Sequence, residues 1–170
     1  NLVMRALQAQ DLAVDDASCS AALADFLRLY SADSAKLTSI FDGAIDALGW
    51  LQDRGFRLGI CTNKPLAPTK IVLDQFGLTR FFDTIVGGDQ LASRKPDPTM
   101  LFHAMASLDA KSCLFVGDSE IDRETSTAAG QPFALFTKGY RTSSIETLNP
   151  EYYFNEYKEL IDIVNLKFEK

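Results

Sequence analysis

The sequence predicts a doubly wound α/β fold, a parallel sheet covered by helices, and three observations carry that prediction. Short apolar runs recur as "FRLGICT", "FDTIVGG", "SCLFVGD" and "PFALFT". Each of the first three is followed by a stretch of helical periodicity, and glycines stand where several of the helices should stop. Strands alternating with helices through short links imply parallel strands joined by right-handed crossovers, with helices on both faces.

Taken in order, residues 2–30 read as helices, with Asp15 or Asp16 as a cap and Leu23, Phe26, Leu27 and Tyr30 along one face. The polar stretch "SADSAKLTS" at residues 31–39 is the one plausible boundary, so the chain is read as a helical front, 1–38, and an alternating part, 39–170. A helix over 43–54 stops at Gly55 and the first strand follows at once. Further helices are expected at 67–76, ending at Gly77, at 98–108 and at 121–129, ending at Gly130. "PFALFT" closes the series, and "ELIDIVNLKF" adds one short helix packing Leu160, Ile161, Val164 and Leu166 on the core.

Composition narrows the function classes. The 170 residues, 46% hydrophobic and 24% charged, suit one core with a small appendage. A net charge of -6 argues against nucleic acid and anionic membrane as partners, because both need clustered basic surface, and it favours a small soluble substrate. Cys61 and Cys113 fall in apolar runs and, with Cys19, read as reduced thiols rather than a disulfide or zinc site. No run approaches the roughly 20 apolar residues of a membrane span, and no signal peptide opens the chain, so a cytoplasmic protein is expected. Oligomeric state is not legible.

Ligands of an open α/β sheet bind outside the carboxyl ends of its strands. Thr62, Asn63 and Lys64 follow the first strand, Arg94, Lys95 and Pro96 lie in the loop after the second, and Asp118, Ser119 and Asp122 follow the third. A hydroxyl and an amide suit phosphate oxygens, a lysine neutralises their charge, and two carboxylates four residues apart suit a hard divalent cation. The combination points to handling a phosphoryl group with Mg2+. Singly, each has a plain alternative: Thr62 and Asn63 as helix caps, Lys95 as a solvated loop lysine, Asp118 as a cap of the helix near Ile121. Three consecutive strand ends carrying complementary chemistry favour the joint reading.

"ICTN", the lysine of "RKPDP" and "VGDSEID" resemble the second, third and fourth motifs of the haloacid dehalogenase superfamily, in the right order, over roughly residues 41–140. "CTNKP", "VGGD" and "GDSEID" are most similar in style to the phosphoglycolate phosphatases of that superfamily. The resemblance implies that Thr62 binds the transferring phosphoryl group and that Lys95 stabilises the nucleophile and the phosphoryl charge. It further implies that Asp118 ligates magnesium, that Asp122 supports the metal directly or through water, and that Asn63 is a neighbouring phosphate contact. Residues 1–38 then resemble the second half of a helical cap.

One motif of the superfamily is not found. Its members open with DxDGT, whose first aspartate is phosphorylated and whose second is a general acid and base; Asp11, Asp15 and Asp16 do not resemble it. The expectation is that the nucleophile and the central strand lie upstream of Asn1, leaving a gap in the sheet and little turnover by residues 1–170 alone. The alternative is a non-catalytic module that binds magnesium or a phosphorylated ligand. A phosphoacceptor receiver domain fits less well, since its carboxylates precede its hydroxyl and lysine, and no strand leads into G-x-G-x-x-G. His103, Trp50 and Arg141 are read as structural or solvated.

Overall fold

In the computed structural model, which describes residues 38–168 together with Ala21, Ala22 and Asp25, the alternation predicted after residue 39 is present strand by strand. The chain divides into two compact units, Asn1–Ser39 and Ile40–Lys170. The predicted face of Leu23, Phe26, Leu27 and Tyr30, its Asp15 or Asp16 cap, and Cys19 lie outside the described residues.

The second unit runs α1 (Ala44–Asp53), β1 (Gly59–Cys61), α2 (Leu66–Gln75), a 3-10 turn (Thr79–Phe81), β2 (Thr84–Val86), α3 (Thr99–Ser107), β3 (Phe115–Gly117) and α4 (Glu120–Ala129). It ends with β4 (Phe133–Phe136), α5 (Ile145–Leu148), β5 (Tyr152–Phe154) and α6 (Tyr157–Lys167). The glycine stops are as expected: Gly77 and Gly130 take φ of 64° and 65°, a left-handed turn that costs glycine nothing and any other residue a Cβ clash. The sequence reading missed β5 and α5. An aromatic triplet between Glu151 and Asn155 is too short to show alternation, and only pairing with β4 makes it a strand.

All pairings are parallel, as the crossovers require, but they form two ladders: β1–β2, and β3–β4–β5 with β4 central. Among the described strands no ladder joins β1 to β3, and Val116 in the middle of β3 is 41% exposed, unusual for an apolar residue within a parallel sheet. The two halves meet through side chains, Cys61 of β1 packing on the cluster that contains Phe115 of β3.

The core explains why β4 reads as an unbroken apolar run. Phe133 and Leu135 point to one face, with Leu101 and Met105 of α3, Phe115 and Leu148. Ala134 and Phe136 point to the other, with Phe154 and with Leu160 and Val164 of α6. A strand buried on both faces needs apolar residues at every position, and all four are at most 5% exposed. Phe133→Ala removes a fully buried ring at this junction and is expected to cost about 3–5 kcal/mol in urea unfolding, through lost transfer energy and the cavity left behind. Of the residues assigned to α6, Leu160 and Val164 are buried as predicted and Ile161 is half-buried, whereas Leu166 is 80% exposed; Ile163, not singled out in the sequence, packs on the same cluster.

Candidate active site

The loops after β1, β2 and β3 converge, and the side chains singled out in the sequence make the contacts between them. Thr62 prolongs β1, its N–H donating to the Val86 carbonyl at 3.0 Å. Its Oγ1 accepts the Lys64 N–H at 3.1 Å, which leaves the hydroxyl proton directed by whatever acceptor approaches. Neither Thr62 nor Asn63 caps α2, whose N-cap is Pro65 with no side-chain bond, so the capping alternative fails.

Asn63 is spent differently from the expected phosphate contact. Its Nδ2 donates to the Lys95 carbonyl and its Oδ1 accepts the Lys95 N–H, both at 2.9 Å, a two-point latch between loops 32 residues apart. The chain can come this close only because of "VGGD": a Cβ on Gly88 would lie 2.2 Å from the Asn63 carbonyl oxygen, and one on Gly87 2.5 Å from the Leu66 nitrogen. Asn63 therefore positions Lys95.

Lys95 is not a solvated loop lysine. Its Nζ lies 2.7 Å from Asp122 Oδ1, with the two side chains only 11% and 8% exposed. The other Asp122 oxygen accepts the Ser119 hydroxyl at 2.7 Å and the Asp118 N–H at 3.1 Å, so both oxygens are committed within the protein. Burial pushes the Asp122 carboxyl up, but the Lys95 ammonium and these hydrogen bonds outweigh it and hold the group below the usual carboxylate range. Ser119 was noted without a role in the sequence; it is the N-cap of α4, accepting the Asp122 N–H while donating to the Asp122 carboxylate. The spacing of "SEID" is that of a serine N-cap with an acidic residue three positions on, but here the carboxylate reaches the Asp118 N–H and the Ser119 hydroxyl rather than the N-cap N–H.

Asp118 stands apart from this network. It caps no helix, and its Oδ2 accepts the Tyr140 N–H at 2.7 Å from the loop after β4. That loop was not assigned a role from sequence, and it is drawn in closely: a Cβ on Gly139 would lie 2.2 Å from the Asp118 carboxylate. No hydrogen bond from the described residues reaches Asp118 Oδ1. The same loop is tied to Glu120, whose Oε1 accepts the Thr142 N–H, the Thr142 hydroxyl and the Ser143 N–H at 2.7–3.0 Å. The Ser143 N–H leads the bonds that bring the Glu120 carboxyl down to about 2.

Among the described residues no three His, Cys, Asp or Glu side chains gather to hold a metal. The donors nevertheless suit magnesium, which keeps several waters and takes one or two carboxylates together with substrate phosphate. Asp118 could supply a ligand; Asp122, buried and engaged by Lys95 and Ser119, suits an outer position better than direct contact.

Cys61 lies beside this site, but burial pushes its thiol up to about 11, with Lys95 opposing and Asp122 adding, so it is no thiolate nucleophile near neutrality. Cys61 and Cys113 are free thiols, as expected. His103 is exposed on α3, away from the strand ends. Arg141 departs from the solvated reading: Nη1 donates to the Ser143 carbonyl and Nε is buried with no hydrogen-bond partner among the described residues. A cleft of about 510 Å³ opens beside Phe41, Phe136, Lys138, Asn155 and Tyr157, and none of the five predicted site residues lines it. The site is recognised by its chemistry rather than by concavity. No helix of the described residues is long and apolar enough to cross a membrane.

Comparison with known proteins identifies the family. The sequence pattern of the haloacid dehalogenase-like hydrolases matches residues 4–136. A phosphoglycolate phosphatase of Cereibacter sphaeroides is 42% identical over 163 residues, 96% of this chain and 75% of that protein. One from Rhodospirillum rubrum is 40% identical over 167 residues, 95% of this chain and 69% of its own length. Among solved structures, a predicted phosphoglycolate phosphatase from Haemophilus somnus superposes with a TM-score of 0.87 at 24% identity, over 95% of this chain and 73% of that one, a likeness of fold. A haloacid dehalogenase superfamily hydrolase from Geobacter sulfurreducens follows at TM-score 0.63 and 29% identity, over 73% and 60% of the two chains.

Fold and relatives together define a hydrolase of the phosphatase type. The chain belongs to the haloacid dehalogenase-like hydrolase family.

Proposed function

We propose that the full-length protein is a magnesium-dependent phosphomonoester hydrolase that works through an aspartyl-phosphate and takes 2-phosphoglycolate as its substrate. The observation that carries the reading is the buried Lys95–Asp122 pair, which links the loops after β2 and β3, with Asn63 after β1 latched to the Lys95 backbone. A lysine kept in so dry a place is an expensive feature that a phosphoryl dianion would explain. Phosphoglycolate comes from the named relatives. The attacking aspartate is assigned to residues outside 1–170, because no described aspartate besides Asp118 directly ends a strand of the site.

In this reading a carboxylate oxygen attacks phosphorus, the ester P–O bond breaks and the alcohol leaves; water then cleaves the acyl phosphate and releases inorganic phosphate. The Thr62 hydroxyl donates to a phosphoryl oxygen. Lys95 neutralises charge on the phosphoryl group and the attacking carboxylate, while Asp122 holds the ammonium in place. Asp118 would hold magnesium, which when bound neutralises phosphate charge and orients the group for in-line attack. The partner is thus a small phosphorylated metabolite, and the protein's place a cytoplasmic one.

The test is phosphate release by the full-length protein from 2-phosphoglycolate, sugar phosphates and nucleotides, with and without magnesium. Release from 2-phosphoglycolate that EDTA abolishes, and that Thr62→Ala lowers about 100-fold in kcat, is the expected result. Preference for another phosphomonoester would overturn the substrate, and metal-independent release the mechanism.

A further inference from the structure

We propose that Glu120 is a positioning residue for the metal site: it anchors the loop after β4 so that the Tyr140 N–H holds Asp118. This inference rests on the reading of Asp118 as the magnesium ligand.

Residues 138–143 leave β4 and turn back over the carboxyl end of β3. Tyr140 brings no side-chain anchoring there, being 88% exposed, yet its N–H lies 2.7 Å from Asp118 Oδ2. Something else must keep that amide in place. On the α4 side the loop is held by a single oxygen, Glu120 Oε1, which accepts the Thr142 N–H at 2.9 Å, the Thr142 hydroxyl at 3.0 Å and the Ser143 N–H at 2.7 Å. Three donors on one carboxylate oxygen fix the loop two residues beyond the amide that matters. Gly139 completes the device, since a Cβ there would lie 2.2 Å from the Asp118 side chain, so only glycine lets the loop sit this close. Glu120 and Asp118 are two residues apart, so one end of α4 presents the ligand and the group that orients it through the loop. Partners that orient a ligand typically govern metal affinity by about 10–100-fold without touching the ion.

A rival role exists for Glu120 as the first helical residue of α4, where a negative charge favours the helix dipole and attracts a cation without any latch. Conservative variants separate the two. Glu120→Gln keeps the reach and an accepting oxygen but loses the charge, whereas Glu120→Asp keeps the charge but is one methylene too short for the loop.

The experiment measures Mg2+ affinity of the full-length protein by calorimetry, hydrogen exchange of the Tyr140 amide, and melting temperature. Glu120→Asp and Glu120→Ala are expected to weaken Mg2+ binding at least about tenfold and to accelerate Tyr140 exchange, with Glu120→Gln close to wild type in both. Gly139→Ala, acting from the loop side, should reproduce the loss. Wild-type behaviour of Glu120→Asp, or a loss in Glu120→Gln equal to that in Glu120→Ala, overturns the latch. A fall in melting temperature without change in affinity or exchange overturns it equally. If wild type itself binds no Mg2+, the metal assignment of Asp118 fails, and Tyr140 exchange alone still decides whether Glu120 anchors the loop.

Discussion

Asp118→Ala in the full-length protein is expected to abolish magnesium-dependent phosphomonoester turnover, a loss of about a thousandfold or more if the metal contributes several kcal/mol to the transition state. The reason is that the neighbouring carboxylates are engaged elsewhere. Glu120 is tied to Thr142 and Ser143, and in Asp122 Lys95 occupies one oxygen and Ser119 and the Asp118 N–H the other. Folding should survive, because Ser119 rather than Asp118 caps α4 and the aspartate lends only one acceptor to the Tyr140 loop. Phosphate release across a magnesium titration, with circular dichroism as the control, checks this. Turnover retained at saturating magnesium would defeat the assignment.

Asp122→Ala is expected to destabilise residues 1–170 by about 3–5 kcal/mol in urea unfolding, the largest effect of any single charge here. Asp122 is 6% exposed, and its removal leaves the Lys95 ammonium in a dry site with no counter-charge, together with an unpartnered Ser119 hydroxyl. Replacing both partners, Lys95→Met with Asp122→Leu, should recover most of the loss while remaining inactive, since the cost lies in an unpaired charge rather than in the missing pair. The pH dependence has a definite sign. A carboxyl held below its unfolded value of about 3.9 contributes stability that is fully present above that pH and is lost as pH falls through the folded value. Wild type should therefore lose stability relative to Asp122→Ala only in strong acid. A difference that stays flat below the unfolded value as well, through strong acid, would show that the ion pair does not stabilise the fold.

Several of the residues that make this site were legible because their identity follows from local rules. A glycine at a helix end, an apolar run buried on both faces, and hydroxyl, lysine and carboxylates following successive strands are patterns of sequence, and the parallel pairing they imply is the one found. Other features had weak signals or none. β5 is three aromatic residues whose strand character comes from β4, and α5 is a single turn. The division of the described strands into two ladders shows as an exposed Val116 and a β1 that pairs with β2.

By itself the sequence determined the fold class, the alternation of strand and helix as far as β4 and which side chains stand at the strand ends, because periodicity and strand-end placement are properties of neighbouring residues. Tertiary structure alone decided how those side chains are used. Asn63 turns its amide to the Lys95 backbone, Asp122 commits itself to Lys95, and Asp118 is left to the Tyr140 loop. Each of these depends on contacts between residues 22 to 32 positions apart, where hydrogen-bond partners are set by how the loops meet in space and not by anything written beside them in the chain.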